Sequence, residues 1–338
     1  MNNYDFFSSP IGLGHVTRDI AIVKNLKDFS FNFVTGSGAA KILKKINYNV
    51  DDVYYPPSFV VENGVLNNQT KWLWSYYQYY KNCKNISKKI IKKNNSELII
   101  SDEDFASLTN AQELKIPNIL ITDVLETKFT KGIASFIEKK MNKSMMNIIK
   151  NCDAVIIPEN GENVDNIRRI GPIVREINLS REELRKKFLF NKKTILISVG
   201  GTNAGLFLIQ KSIESILKLN LDIEIILVTG PSITKKFDNV KNLGFVDNLH
   251  ELIYASDVVI SLAGKSTIDE ANAYGTPGIF IPIKDHFEQE NNSKNEGFSF
   301  NDINKLDELI LEKLEKKRNK VNANGAELAA EIIRKFTK

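Results

Sequence analysis

The chain has 338 residues, 42% of them hydrophobic and 26% charged, with 46 Lys and Arg against 41 Asp and Glu. That balance excludes a disordered chain, and the length suits two α/β domains better than one. A net charge of +5 is too small for a sequence-independent grip on nucleic acid, so no nucleic-acid partner is expected. Met1–Pro10 lacks a basic stretch leading into an apolar one, and no run reaches the apolar length of a bilayer span. Cys83 and Cys152 have no metal-ligand spacing and read as buried or idle thiols of a reduced compartment, which makes the expected location cytoplasmic.

The first apolar run, Tyr4–Ser8, reads as a strand. Directly after it comes Gly12-Leu13-Gly14-His15-Val16-Thr17-Arg18, opening a helix that carries Ile20, Val23 and Leu26. Glycines there let backbone N–H groups approach an anion or polar substrate at a helix N-terminus. The run imitates a dinucleotide fingerprint, but Thr17 replaces the third glycine. The second strand, Phe31–Thr35, also runs into Gly36 where an acid would be needed. His15 would project toward a ligand with an ordinary pKa of about 6.5. The plainer reading is a tight turn with His15 starting a helix.

Lys71–Lys93 holds seven lysines and no acid, interleaved with Trp72, Trp74, Tyr76, Tyr77, Tyr79 and Tyr80. Lys128–Lys150 repeats the theme, with Ile133, Phe136, Ile137, Met141 and Ile148 on one side and Lys131, Lys139, Lys140 and Lys143 beside it. Aromatics backed by lysines suit an anionic membrane surface and a phospholipid-like acceptor. They suit single-stranded nucleic acid equally, and the plainest reading is two amphipathic helices with solvated lysines. Glu97–Ser101, Asn118–Asp123 and Asp153–Pro158 complete the strands of the first half, and Asp123 ends its run on the side where His15 would lie.

Arg168–Ile173, containing Gly171-Pro172, breaks the pattern before a charged helix at Ser180–Phe188. Thr194–Val199, Ile223–Thr229, Asp257–Ser261 and Gly278–Ile283 read as the second set of strands. These runs are nearly continuous in apolar residues, as parallel strands covered on both faces require. The expected fold is therefore α/β: two doubly wound Rossmann-like domains facing across a cleft, with ligands at the carboxyl ends of the strands. The expected boundaries are 1–172 and 173–320. Residues 321–338 form a C-terminal helix, with apolar Leu328, Ile332 and Phe336, that would pack back on the first domain.

Two motifs follow strands of the second half. Gly200-Gly201-Thr202-Asn203-Ala204-Gly205 offers a backbone nest for phosphate or merely a turn. Ser261–Glu270 contains Gly264-Lys265-Ser266-Thr267, which tempts toward a P-loop, but Val259 stands where its first glycine would be. What remains is a glycine turn and hydroxyls at a helix N-terminus, suited to a diphosphate, with Glu270 one turn in and able to accept from both ribose hydroxyls. The alternative makes Ser266 and Thr267 ordinary caps and Glu270 a capping-box partner.

Phe245–Leu249, Ser261–Glu270, Gly275-Thr276-Pro277 and Glu288-Gln289 with Asn292 occur in the order and near the spacing of the C-terminal domain of glycosyltransferase family 28. That family includes the bacterial transferase that adds GlcNAc to the peptidoglycan lipid intermediate. Gly12–His15 resembles its first glycine-rich loop, Gly200–Gly205 its second and Gly171–Arg175 its interdomain link. The resemblance implies a GT-B fold, a UDP-sugar donor, an acceptor on the first domain that is lipid-linked or another envelope glycoconjugate, and an inverting displacement with no metal and no cofactor. By motif position, Gly14 belongs to the first loop and His15 is the base. Phe245 and Val246 meet the uracil. Gly264, Ser266 and Thr267 hold the diphosphate with Arg175, Gly201 and Thr202. Glu270 takes the ribose, and Glu288 and Gln289 the donor sugar. Leu262, Ala263, Lys265 and Glu288 depart from the peptidoglycan enzyme's pattern. A UDP-sugar 2-epimerase and a non-catalytic nucleotide-sugar-binding subunit are the competing readings of the same fold.

Overall fold

Eight of the nine apolar runs become interior strands of two all-parallel sheets, and the ninth becomes an edge. The computed structural model describes residues 3–130, 134–200, 203–230, 233 and 235–337. The first elements are β1 (Tyr4–Ser8), α1 (Gly14–Val23), β2 (Phe31–Thr35), α2 (Ser37–Lys45) and β3 (Asn49–Asp52), then a hairpin of β4 (Val60–Glu62) and β5 (Val65–Asn67). After it come α3 (Gln69–Asn94), β6 (Leu98–Asp102), α4 (Phe105–Leu114), β7 (Asn118–Ile121), α5 (Ala134–Lys150), β8 (Ala154–Ile157) and β9 (Ile167–Arg169). The next elements are α6 (Arg181–Phe188), β10 (Lys193–Ser198), α7 (Leu206–Lys218), β11 (Ile223–Val228), β12 (Lys241–Gly244) and α8 (Leu249–Ala255). They lead to β13 (Val258–Leu262), α9 (Lys265–Tyr274), β14 (Gly278–Ile281), α10 (Phe287–Asn295), α11 (Leu306–Glu315) and α12 (Gly325–Arg334).

The first sheet runs β3-β2-β1-β6-β7-β8-β9 and the second β12-β11-β10-β13-β14. Every pairing within both is parallel. The strands of these two sheets that are absent from the sequence reading, β3, β9 and β12, are all edges with polar sequences such as Asn49-Val50-Asp51-Asp52. An edge is covered incompletely, so its sequence need not be apolar.

The chain divides into two discontinuous compact units. The first joins Met1–Ser58, Asn68–Val174 and Ala323–Lys338; the second joins Phe59–Asn67 to Arg175–Asn322. The β4–β5 hairpin thus belongs with the second sheet although it precedes most of the first in sequence. In the first unit, β6 is buried along its whole length, and Phe7, Tyr54, Cys83, Ile91 and Ile99 pack together under α3 and α4. In the second, Ser180 caps α6 in a capping box with Glu183. Gly275, at φ +70°, ends α9 in the left-handed conformation that favours glycine.

Helix α12 packs on α1 within the first unit, turning Ala326, Ala329, Ala330 and Ile333 inward. Leu328, Ile332 and Phe336, the residues expected to face the core, are only half-buried. Small residues win because the contact is close. The Gly325 N–H donates to the Pro172 carbonyl at 3.2 Å, and a Cβ on Gly325 would stand 2.5 Å from that oxygen. Gly325→Ala is therefore expected to cost on the order of 1–3 kcal/mol of stability, measured by chemical denaturation, and to make the C-terminal segment more sensitive to protease.

Candidate active site

In the first unit the turn after β1 brings α1 over the carboxyl end of the sheet. Ser8 lies opposite Asp102 in the β1–β6 register. Gly12, at φ +82°, reverses the chain, and α1 begins at Gly14 without a side-chain cap. The Thr17 hydroxyl donates to the Gly14 carbonyl at 2.8 Å. His15 and Arg18, three residues apart and hence on one helix face, converge on Asp102.

His15 Nδ1 lies 2.8 Å from Asp102 Oδ1. Arg18 donates from Nε to Asp102 Oδ2 at 2.6 Å and from Nη2 to Oδ1 at 2.5 Å, while its Nη1 meets Asp123 Oδ2 at 2.7 Å. On the other side of the imidazole, Nε2 is 3.8 Å from Glu103 Oε2. Glu103 is fixed in turn, since its Oε1 accepts from the Thr122 hydroxyl and the Asp123 N–H, both at 3.0 Å. Glu103 also has φ +55°, a left-handed conformation costing a non-glycine residue roughly 1 kcal/mol or more. Below the cluster the Ser8 hydroxyl donates to Asp19 Oδ2 at 2.5 Å.

This charge arrangement sets the protonation of His15. Burial alone would lower its pKa, but Asp102 and Glu103 outweigh burial and push it up to about 9. Burial likewise opposes ionisation of Asp102, yet Arg18 and His15 hold its carboxyl far below the usual range. Asp19, buried beside Asp102, has its carboxyl raised well above that range by burial and by the neighbouring Asp102 charge. Asp102 pins the Nδ1 proton, so an imidazole that loses its other proton presents Nε2 as acceptor. Asp102 and Glu103, absent from the sequence reading, left a legible trace: an acidic triplet, Asp102-Glu103-Asp104, directly after an apolar strand.

In the second unit, Gly264 is the N-cap of α9 in extended conformation, and the helix has no side-chain cap. A Cβ added at Gly264 would meet nothing within 4 Å, so space is open in front of this turn. Ser266 and Thr267 are half-buried in the first turn, while Lys265 is drawn aside to Asp269 at 2.5 Å. The turn is braced by Asn292, whose Nδ2 donates to the Ala263 carbonyl at 3.2 Å.

Arg175 and Glu270 are engaged with each other. Nε and Nη2 of Arg175 donate to the two Glu270 carboxylate oxygens at 2.7 and 3.0 Å, and both side chains are buried. The third donor, Nη1, reaches the Asp247 carbonyl at 3.0 Å and so ties the half-buried Phe245-Val246-Asp247 stretch to α9. The Tyr274 hydroxyl holds the Arg175 carbonyl at 2.6 Å. Glu288 and Gln289 open α10, with Gln289 Oε1 accepting from Ile283 N–H at 3.1 Å. Gly201 and Thr202 lie outside the described residues.

The two basic stretches form α3 and α5 of the first unit. Trp72 is turned inward, donating to the Pro57 carbonyl at 3.0 Å and packing on Phe129 at 5.3 Å. Trp74 is 63% exposed, and Lys81 lies 4.4 Å above the Tyr77 ring. The expected apolar side of α5 divides: Phe136 and Ile137 are 72% and 60% exposed, while Ile148 packs against the core. The Glu138 carboxylate holds the N–H groups of Phe129 and Thr130 at 2.7 and 2.8 Å, so the Phe129 loop links the starts of α3 and α5. Lys131 and Ile133 lie outside the described residues. Among the described residues no helix is long and apolar enough to cross a membrane.

Two parallel Rossmann-like sheets with polar clusters at their carboxyl ends define a GT-B architecture. A solved structure titled as the glycotransferase of kitacinnamycin shares this fold across 99% of this chain and 98% of its own, with a TM-score of 0.68 at 14% identity. An uncharacterized glycosyltransferase of Methanopyrus kandleri is 25% identical over 61% of this chain, which spans 62% of that relative's length. The UDP-N-acetylglucosamine–N-acetylmuramyl-(pentapeptide) pyrophosphoryl-undecaprenol N-acetylglucosamine transferase of Staphylococcus epidermidis is 26% identical over 84% of this chain and 80% of its own. Residues 194–338 match the model of the glycosyltransferase family 28 C-terminal domain, and the chain is a glycosyltransferase.

The Arg175–Glu270 pair yields a stability prediction. Glu270→Ala leaves a guanidinium buried without its carboxylate, an expected cost of about 3–5 kcal/mol, whereas Arg175→Met with Glu270→Leu removes both charges and recovers most of it. Urea denaturation of the single and double variants measures the difference; equal losses in both would show that the unpaired buried guanidinium is not the source of the cost.

Proposed function

We propose that this glycosyltransferase moves a GlcNAc-like sugar from a UDP donor to a hydroxyl of a lipid-linked or envelope glycoconjugate acceptor, inverting the anomeric centre in one displacement without a metal. The observation that carries the reading is the uncapped N-terminus of α9 opening at Gly264, beside the buried Arg175–Glu270 pair. The printed activity of the Staphylococcus epidermidis relative supports the donor and acceptor classes.

With the Gly264 N–H held by the Leu262 carbonyl at 2.7 Å, the backbone N–H groups of Lys265, Ser266 and Thr267 and the helix dipole take up charge on the departing diphosphate, the work a divalent cation does elsewhere. Ser266, Thr267, Gly201 and Thr202 add polar contacts. Arg175 uses two of the roughly four hydrogen-bonding sites of the Glu270 carboxylate, and the remaining two are assigned to the ribose hydroxyls. Phe245 and Val246 receive the base, and Glu288 and Gln289 the sugar. The nucleophile is the acceptor's own hydroxyl. His15, oriented by Asp102, takes its proton as the bond from the sugar to phosphate lengthens, while Gly14 shapes the turn that presents it. The exposed Trp74, Phe136 and Ile137, with lysines of Lys71–Lys93 and Lys128–Lys150, rest on the anionic cytoplasmic face of a membrane and bring the enzyme to its acceptor.

His15 can act only after losing a proton it holds up to about pH 9. On this reading kcat/KM rises with pH from 7 toward about 9. His15→Asn is expected to lower kcat by about 10²–10⁴ and flatten that rise, with UDP affinity within a few fold because the nucleotide residues are carried by the other unit. A wild-type profile that is level between pH 7 and 9, or near-normal turnover in His15→Asn, would remove His15 from the base role.

Vesicle co-sedimentation tests the surface. Binding should require acidic lipid, weaken with added salt, and fall in the Phe136→Ser, Ile137→Ser double variant. Equal binding to neutral and acidic vesicles would return these lysines to the role of solvated charges.

A further inference from the structure

The β4–β5 hairpin is placed where the second unit's candidate donor loops are. Strand β13 lies between β10 and β14, so the loops after β10 and β14 flank the turn at Gly264. The hairpin touches both flanking loops. On one side β4 runs beside the turn Asn203–Gly205, which follows β10. On the other, Lys284, just beyond β14, is gripped through both backbone groups: its N–H donates to the Gly64 carbonyl and its carbonyl accepts from the Leu66 N–H, each at 2.9 Å.

The tip and base of the hairpin are equally committed. Gly64 has φ +80°, and a Cβ there would stand 2.7 Å from the Phe300 ring and 2.8 Å from that of Phe207. At the base, the Phe59 ring packs on His286 with centroids 5.3 Å apart. His286 is buried and neutral, its pKa lowered by burial to about 4, and its Nδ1 accepts from the Gln289 N–H at 3.4 Å. The adjoining backbone is strained, with Asp285 at φ +65°. Gln289 closes the circuit through its bond to the Ile283 N–H. Hairpin, Lys284, His286 and Gln289 are thus one connected set of contacts.

We propose that the hairpin Val60–Asn67, with Phe59, is a specificity element for the donor sugar: it sets the two loops beside Gly264 and, through His286, fixes where Glu288 and Gln289 meet the sugar. The inference rests on the donor reading above and adds to it the part of the chain that governs sugar choice. It divides the donor into two portions. Uracil, ribose and diphosphate are handled by Phe245, Val246, Gly264 and the Arg175–Glu270 pair, none of which the hairpin holds by these contacts. The sugar side depends on Phe59 and Lys284 through the loop after β14, whereas the diphosphate side meets the hairpin only where β4 runs beside Asn203–Gly205.

Phe59→Ala and Phe59→Leu test this by calorimetric binding of UDP and of UDP-GlcNAc. The first variant removes the ring from His286, and the second keeps apolar bulk as a control for folding, with thermal unfolding recorded for both. Misplacement of the loop by a fraction of an ångström should weaken UDP-GlcNAc by about tenfold or more while UDP stays within about twofold. The preference for UDP-GlcNAc over UDP-glucose should narrow in parallel. Equal losses for UDP and UDP-GlcNAc would make the hairpin a packing element only, and unchanged binding of both would give it no role in the donor site. A wild-type protein that binds no UDP would overturn the donor reading and this inference together.

Discussion

A parallel strand covered on both faces displays ligand-accessible chemistry where it ends, and both candidate sites of this protein depend on that constraint. Along β1, β6 and β7 the side chains are buried. Asp5, near the amino end of β1, is buried but occupied by Asn32, Asn94 and Ser96; at the carboxyl ends stand Ser8, Asp102 and Thr122, and the parallel register sets Ser8 level with Asp102. The second sheet repeats the arrangement, with β13 ending just before Gly264. Moving the register of β1 against β6 by one residue would turn Asp102 from the space under His15 into an apolar layer.

Each unit uses an arginine to fasten its site. Arg18 binds Asp102 through two nitrogens and Asp123 through the third; Arg175 binds Glu270 through two and the Asp247 carbonyl through the third. A planar fork with five donors suits this work, because it can grip a carboxylate in fixed orientation and still brace a neighbouring segment. Burial makes both pairs demanding, since either partner left alone is an uncompensated charge. Their geometric return is definition: His15 is oriented by a carboxylate that cannot rotate, and the Phe245–Asp247 segment is anchored to the helix that opens at Gly264.

The interior strands were legible because burial on both faces forces a continuous apolar run, and Tyr4–Ser8 or Ile223–Val228 permits no other reading. The motifs after them were legible as turns, since glycine and a helix start leave a local pattern. Long-range pairing left none. Nothing near His15 announces Asp102, 87 residues away, and nothing near Arg175 announces Glu270, 95 residues away. Arg175 and Glu270 were both singled out by motif position, for separate tasks on the ligand; their bond to one another is a product of folding. The edge strands were hidden for the opposite reason: Asn49–Asp52 is polar because one of its sides is uncovered. The hairpin was hidden because three-residue strands are too short to show a period.

The discontinuity of the units has a bearing on how this gene can be divided. A fragment ending at the sequence midpoint, near Pro172, carries the hairpin but not the loops it holds, and lacks α12, which covers α1. The complementary fragment carries Lys284, His286, Phe207 and Phe300 with nothing to occupy them. Neither piece contains a complete fold, so a domain exchange with a relative must carry four crossing points rather than one. Residues 59–67 would travel with the second sheet and 323–338 with the first. Recombination at the linker alone would give each chimera a hairpin and a last helix matched to the wrong parent.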